Sequence, residues 1–426
     1  MNAIIIITMF LICCVIGFPV GFAIGFTTWV SFLMLGGKML VMAQKLFTSI
    51  NSFTYLCIPL FVLASEIMSE GKLIDKIVDF FQVCIGHIRG GLAYVNVLDS
   101  MVFAGISGSA SADMASLGVL TANAMVKAGY TKNYAVTVSA ATATIAPLIP
   151  PSTIMIIFAA AAGRVSVSEL FMGGTIPGVL YGVAFLFLCG YYAKKYNQPK
   201  NERRATIKEI WMEFKLSLPV LLLPILILGS IVSGVCTATE AGALAVIYAI
   251  VTTCLRRTMN LKSLINSMYK AARLTASVLF IIATSGAMQW VLTALQIPQN
   301  VASFCLQFIH SKFLFLLFLN ILLFIVGCLL DGAPAVLLLT PILFPVAMQY
   351  GINPIHFGII MCLNLTIGLI TPPIGLLLFV ASNVTGLKLK ILYKTVWPFV
   401  ICGVCVLLLV TYCPILTTWL PSIILK

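Results

Sequence analysis

A chain of 426 residues that is 61% hydrophobic and only 9% charged is too apolar for a water-soluble domain, in which about a quarter of residues carry charge. With a mean hydropathy of +1.12 it reads as a polytopic membrane protein. The formal charge of +13 does not argue for nucleic acid, because topology alone gathers Lys and Arg on the cytoplasmic face of a membrane protein.

The run Ala3 to Phe18 lacks a basic leader and flows into more apolar sequence, so it is expected to be a first transmembrane helix over 3–16 and not a cleaved signal. Further helices are expected at about 19–35 and 53–68. In the stretch 72–85, Ile74, Ile77, Phe80, Phe81 and Val83 are set against Lys72, Asp75, Lys76 and Asp79, the pattern of an interfacial helix. Two short apolar segments, 92–106 and 110–128, flank a Ser/Gly tip and predict a re-entrant hairpin. Segments 134–145 and 153–162 predict one helix broken at Pro150 and Pro151, and 170–192 crosses again. Six basic residues fall within 194–209, which reads as a cytoplasmic linker.

The second half repeats the plan: crossings at 216–232 and 239–255, an amphipathic stretch at 258–273, and a crossing at 274–295. A second hairpin is expected at 313–349. A helix broken at Thr371-Pro372-Pro373 (357–367 and 374–382) and a last helix over 393–420 complete the chain.

The stretch from Gly105 to Ser152 organises this reading. Five of the seven residues Gly105–Ser111 are Gly or Ser, and Pro147, Pro150 and Pro151 deny a continuous helix its amides. Irregular backbone within apolar sequence is tolerated only inside protein or around a polar cavity, and transporters hold ions and substrate at such breaks. The pattern recurs 222 positions later: Gly105 falls on Gly327, Gly129 on Gly351, Thr144 on Thr366, and Pro150-Pro151 on Pro372-Pro373. The chain therefore reads as an internal duplication, residues 1–193 and 210–426. With both termini periplasmic and the halves inverted, 20 of 25 basic residues lie on one side; Lys38, Lys45, Arg164, Lys312 and Lys426 do not. The fold expected is all-α, two inverted repeats, each with a re-entrant hairpin and a broken helix.

Thirteen cysteines, scattered and without ligand spacing, read as small buried hydrophobes. His87, His310 and His356 read as interfacial residues.

The runs Ser107-Gly-Ser-Ala-Ser-Ala-Asp113, Lys127-Ala-Gly-Tyr130, Pro147-Leu-Ile-Pro-Pro-Ser152, Thr239-Glu-Ala-Gly-Ala243 and Ile370-Thr-Pro-Pro373 together resemble one family across essentially the whole chain. It is the large membrane subunit of the tripartite ATP-independent periplasmic (TRAP) transporters. The resemblance implies a bacterial inner-membrane protein that couples sodium to the import of an organic acid. It also implies two partners, a small membrane subunit of four helices and a soluble periplasmic substrate-binding protein. A transport domain of hairpins and broken helices would move against a scaffold in an elevator motion. Ala146 departs from the glycine usual before the proline motif.

Sodium takes oxygen ligands, which unwound backbone supplies. One transported sodium is expected at Ser107, Gly108, Ser109, Ile145 and Ala146, and a second at Leu330, Asp331, Gly332, Ile367 and Gly368, where Gly368 matches Ala146 and Asp331 matches Ser109. Asp113 serves either the sodium region or the hairpin-tip amides as a cap. Ser109, Ser111, Ser152 and Thr153 offer hydroxyls to a substrate carboxylate, the last two at the start of a half-helix whose dipole favours anions. Pro150, Pro151, Thr371, Pro372 and Pro373 support the breaks. Glu240 reads as a scaffold residue near a helix start. No Arg or Lys lies within these motifs.

Two other transport or structural readings stay open beside this one: a stand-alone sodium/anion symporter of the divalent-anion type, and a purely structural membrane subunit, in which small residues would only permit tight helix packing. An intramembrane enzyme is more distant, since HExxH, GxSxG and the P-loop signature are all missing.

Overall fold

The computed structural model describes residues 2–163, 165–200 and 203–425. Arg164 and Lys426 of the charge count, and positions 201–202 of the linker, lie outside the described residues.

Helices account for nearly all the regular structure. The first half holds α1 (Asn2–Ile16), α2 (Val20–Met34), α3 (Met39–Ile50), α4 (Cys57–Glu70), α5 (Asp75–Ile85) and α6 (Gly91–Ser107). There follow α7 (Ala110–Asp113), α8 (Val119–Lys127), α9 (Lys132–Thr142), α10 (Thr153–Ala162) and α11 (Val167–Lys195). The second holds α12 (Ile207–Val232), α13 (Ala238–Leu255), α14 (Leu261–Ala294), α15 (Ile297–Phe308), α16 (Lys312–Leu329) and α17 (Gly332–Gln349). It ends with α18 (Pro354–Gly368), α19 (Leu376–Thr385), α20 (Leu389–Thr395), α21 (Trp397–Tyr412) and α22 (Ile415–Ile424). Among the described residues seven helices are long and apolar enough to cross a bilayer, eight if the bent pair α20–α21 counts as one crossing. The protein is an all-α, multi-pass membrane protein.

Both tips and both breaks fall where the proline, glycine and serine pattern places them. Gly108 adopts the left-handed conformation, φ +59°, that ends α6, and Ser109 starts the return arm. Between α7 and α8 one π-helical turn, Met114–Gly118, interrupts the arm. Pro150-Pro151 and Pro372-Pro373 carry the chain between half-helices, each through a cis bond. Helix bounds recur at the same 222-residue offset: α6 with α16, α9 with α18, and α10 with α19.

The reading of the sequence needs five corrections. The stretches 258–273 and 274–295 are one 34-residue helix, α14, with no interruption at Arg273-Leu274. The amphipathic element of the second half is instead α15, capped by Pro298 in its first turn and offset from α5 as the duplication requires. Helix α3 was not foreseen; it is short, lies across Gln44 and Lys45, and buries no side chain fully. The last helix is three pieces, since Pro398 and Pro414 each stop the chain, with a 49° bend between α20 and α21. His356 is buried, bonding Thr417 Oγ1 (2.9 Å) and the Thr411 carbonyl (3.1 Å), so it is a core residue and not an interfacial one.

Packing sorts the helices into two groups. Helices α2, α3, α4, α13 and α14 pack on one another, with α12 lying on α5 and α13. The hairpins, broken helices, α11, α21 and α22 form the other group, in which α10 of the first half lies along α17 of the second. Glu240 caps α13 by closing a box with Thr237, as its position near a helix start suggested.

Candidate functional site

Two cavities meet at the hairpin tips. One, of about 370 Å³, is lined by Gly108, Ser109 and Ser111 of the first tip and by Asp331 and Gly332 of the second. Pro147 and Thr366 at the breaks, and Thr153 and Asn383 on the half-helices, complete its polar wall. The other, of about 530 Å³, has Ser107, Ser109, Ser111, Thr153 and Asp331 on one side and helices α4 and α14 on the other. The fold thus brings together residues more than 200 positions apart in sequence.

The geometry follows from which backbone groups proline disables. A proline at i cannot donate to the carbonyl at i−4, so Pro150 and Pro151 release the carbonyls of Ala146 and Pro147. The Ser152 hydroxyl donates to the Pro147 carbonyl at 2.6 Å and accepts the Met155 amide at 3.3 Å. Among the described residues the Ala146 carbonyl receives no hydrogen bond. In the second half Gly368 and Leu369 are the released carbonyls; Thr371 N and Leu377 N return to them at 2.9 and 3.0 Å. Thr371 Oγ1 also donates to the Ile367 carbonyl at 2.9 Å. Ile145 accepts from Leu148 N at 3.0 Å.

Each tip is pressed onto its facing break, backbone to backbone. A Cβ at Gly108 would overlap the Pro151 carbonyl, and one at Gly368 would overlap Gly327. Thr153 Oγ1 donates to the Gly108 carbonyl (3.1 Å), and Gly375 N donates to the Cys328 carbonyl (3.2 Å).

Asp331 caps α17 through one oxygen, which accepts the Gly332 amide at 2.9 Å. Its second oxygen has no protein partner among the described residues, and the residue lines both cavities. Ser109 and Ser111 hydroxyls lie 3.2 Å apart at the first tip.

The remaining candidates sit elsewhere. Ile145, Ala146, Ile367, Gly368 and Leu330 stand behind the tips and line neither cavity. Ser152 is fully buried and spent on the loop it closes. Thr153 donates its hydroxyl proton to the Gly108 carbonyl and lines both cavities. Asp113 is fully buried beneath the tip, and among the described residues neither of its oxygens accepts a tip amide, so the capping role fails. Asp99, one helix away, is equally unpartnered.

Asn383, Glu66, Lys270 and Arg273 were missed. The last three lie on α4 and α14, outside every motif, and only tertiary packing carries them to the tips.

The model of the tripartite ATP-independent periplasmic transporter, DctM component, matches residues 7–416. The chain belongs to the TRAP large membrane subunit family. Among TRAP large permeases, it is 39% identical to the C4-dicarboxylate protein DctM of Pseudomonas aeruginosa over 89% of each chain. It is 38% identical to the 2,3-diketo-L-gulonate protein YiaN of Escherichia coli, covering 91% of this chain and 92% of that one. The sialic acid protein SiaM of Vibrio cholerae is 35% identical over 96% of this chain and 96% of its own. The fold is also that of the Alcanivorax borkumensis YdaH transporter, at a TM-score of 0.63 and 13% identity over 88% of both chains. As a TRAP large subunit the protein carries out transport and not catalysis.

Proposed function

We propose that this TRAP subunit couples the inward movement of sodium to the import of a small organic acid handed over by a periplasmic binding protein. The observation that carries this reading is the meeting of both tips, both breaks and one open carboxylate at a single pair of cavities. Sodium is cargo here. One ion would take carbonyl and hydroxyl oxygens from Ser107, Gly108, Ser109, Ile145 and Ala146; the unengaged Ala146 carbonyl suits this. A second would take Leu330, Asp331, Gly332, Ile367 and Gly368. The organic acid would lie between the tips, received by Ser109 and Ser111, with bound sodium offsetting its charge. Relatives named for C4-dicarboxylates, 2,3-diketo-L-gulonate and sialic acid support a cargo that is a small acid rich in oxygen.

In this reading 1–193 and 210–426 are oppositely oriented halves joined by 194–209 in the cytoplasm, and both termini are periplasmic. The hairpins and broken helices ride as one body past α4 and α14, which stay fixed beside a small membrane subunit of four helices.

The test is reconstitution with the small subunit and the binding protein, measuring uptake with each component or the sodium gradient withheld. Uptake is expected only when all are present. Uptake without the gradient would remove sodium coupling; uptake without the binding protein would favour a symporter working alone.

A further inference from the structure

The tips are poor in donors. Ser152 and Thr153 have spent their protons within the protein, leaving the Ser109 and Ser111 hydroxyls at the first tip, with the Asn383 amide beside them, to meet an anion. Across the larger cavity the opposite wall supplies what is lacking. Lys270, Arg273, Leu274, Ser277 and Ile281 recur at helical spacing along one face of α14, and that face lines the cavity. Lys270 is tied to Glu70 of α4 at 2.8 Å. Arg273, one turn further along α14, is exposed and has no ion-pair partner among the described residues. The other charges on this cavity are Glu66 and Asp331.

The cation has no counterpart at the matched positions of the first half. Shifted by 222 positions, Lys270 and Arg273 fall on Thr48 and Asn51, at the end of α3. Neither matched position carries a charge.

We infer that Arg273 is an anion-binding residue of the cavity between tips and scaffold, holding a carboxylate or sulfonate of the cargo through its guanidinium fork. This rests on the transport reading for the identity of the cargo, though not for the existence of the site. When sodium occupies the second tip, Asp331 is neutralised and Arg273 is free to hold the anion. When sodium leaves, the Asp331 carboxylate faces the same cavity and opposes the anion, which favours its release. Guanidinium is the group suited to bidentate carboxylate recognition. Lys270, already paired with Glu70, contributes little.

The experiment uses the chain with its small subunit in phosphatidylcholine nanodiscs and a Ser65→Cys reporter on the α4 wall of the cavity. The rate at which a negatively charged methanethiosulfonate modifies that cysteine is followed by peptide mass spectrometry, with succinate, N-acetylneuraminate or isethionate added. In sodium chloride at least one of these anions is expected to slow modification at least threefold. The protection is expected to vanish in Arg273→Gln, persist in Lys270→Gln and survive in part in Arg273→Lys. No protection by any of the three, or equal protection in Arg273→Gln, overturns the site. Protection seen only after adding phosphatidylglycerol would assign Arg273 to a lipid headgroup and also overturn it. Protection that does not depend on sodium leaves the site standing and removes its coupling to Asp331. Failure of gradient-driven uptake with protection intact would instead count against the proposed transport function.

Discussion

At the scale of single residues, the site is built from backbone, and the side chains that matter are those that keep two backbones in contact. Gly368 is the sharpest case. Its α-carbon faces Gly327 so closely that a methyl group has nowhere to go, and the obstacle is main chain, which cannot rotate away. Gly368→Ala is expected to cost about 1–3 kcal/mol, as overpacking of a tight core does, and to lower the melting temperature in detergent measurably. Ala146, the matched residue, carries that methyl group and is fully buried. Asp331 tests the other function of the tips. Asp331→Asn keeps the shape and the acceptor for Gly332 N but removes the charge, and is expected to raise the sodium concentration for half-maximal uptake about tenfold or more, with the melting temperature unchanged. Ser109→Ala should raise it less, since it removes a neutral oxygen. Unchanged sodium dependence in both would take these residues out of the site.

At the scale of elements, each hairpin is fastened to its own broken helix by a buried amide network. In the first half Asn96 of α6 donates to Ser139 Oγ (2.6 Å) and accepts from Thr142 Oγ1 (2.8 Å), both on α9. In the second half Asn364 of α18 donates to Asn320 Oδ1 (2.8 Å) on α16, and Asn320 donates to Thr411 Oγ1 (3.2 Å). Thr142 and Asn364 occupy matched positions. Buried amides inside a bilayer have no water to turn to, so these bonds hold outer arm and broken helix together. Asn96→Ala is expected to cost about 1 kcal/mol in thermal unfolding, while sodium dependence stays as in the unsubstituted protein. A shift in sodium affinity with no loss of stability would mean that the network belongs to the ion site. The scaffold elements show where duplication has been allowed to drift. One straight helix, α14, stands where the first half has α3, the break at Asn51-Ser52, and α4. Asn and Ser compete for local backbone bonds and favour a break; Arg273 and Leu274 continue a helix.

At the scale of the whole molecule, the cavity between the tips and α14 is a seam between two packed groups of helices. If import moves one group past the other, tying them must stop it. A cleavable bifunctional thiol reagent joining Ala112→Cys to Ser277→Cys, which face the same cavity from opposite walls, is expected to abolish uptake in reconstituted vesicles. Uptake should return on cleavage, and full uptake with the link intact would exclude sliding along this seam.

The order of helices, both tips, both proline breaks and the duplication were legible in the residues, because proline, glycine and long apolar runs act on the few residues beside them. Helices α3 and α15 were less so: each has only 12 residues, too short to stand out as a crossing, and Pro298 in the first turn was the start signal for α15. By itself the sequence determined that this is a membrane-spanning chain with paired segments interrupted at proline. Only the tertiary structure decided that Ser152 and Thr153 spend their protons internally and that Asp113 lies buried under its tip, accepting no tip amide among the described residues. Only it, too, brings Arg273 and Asp331 to one cavity. The physical reason is that backbone constraints are local, whereas the partner of a side chain is chosen by helices that pack together from distant parts of the chain.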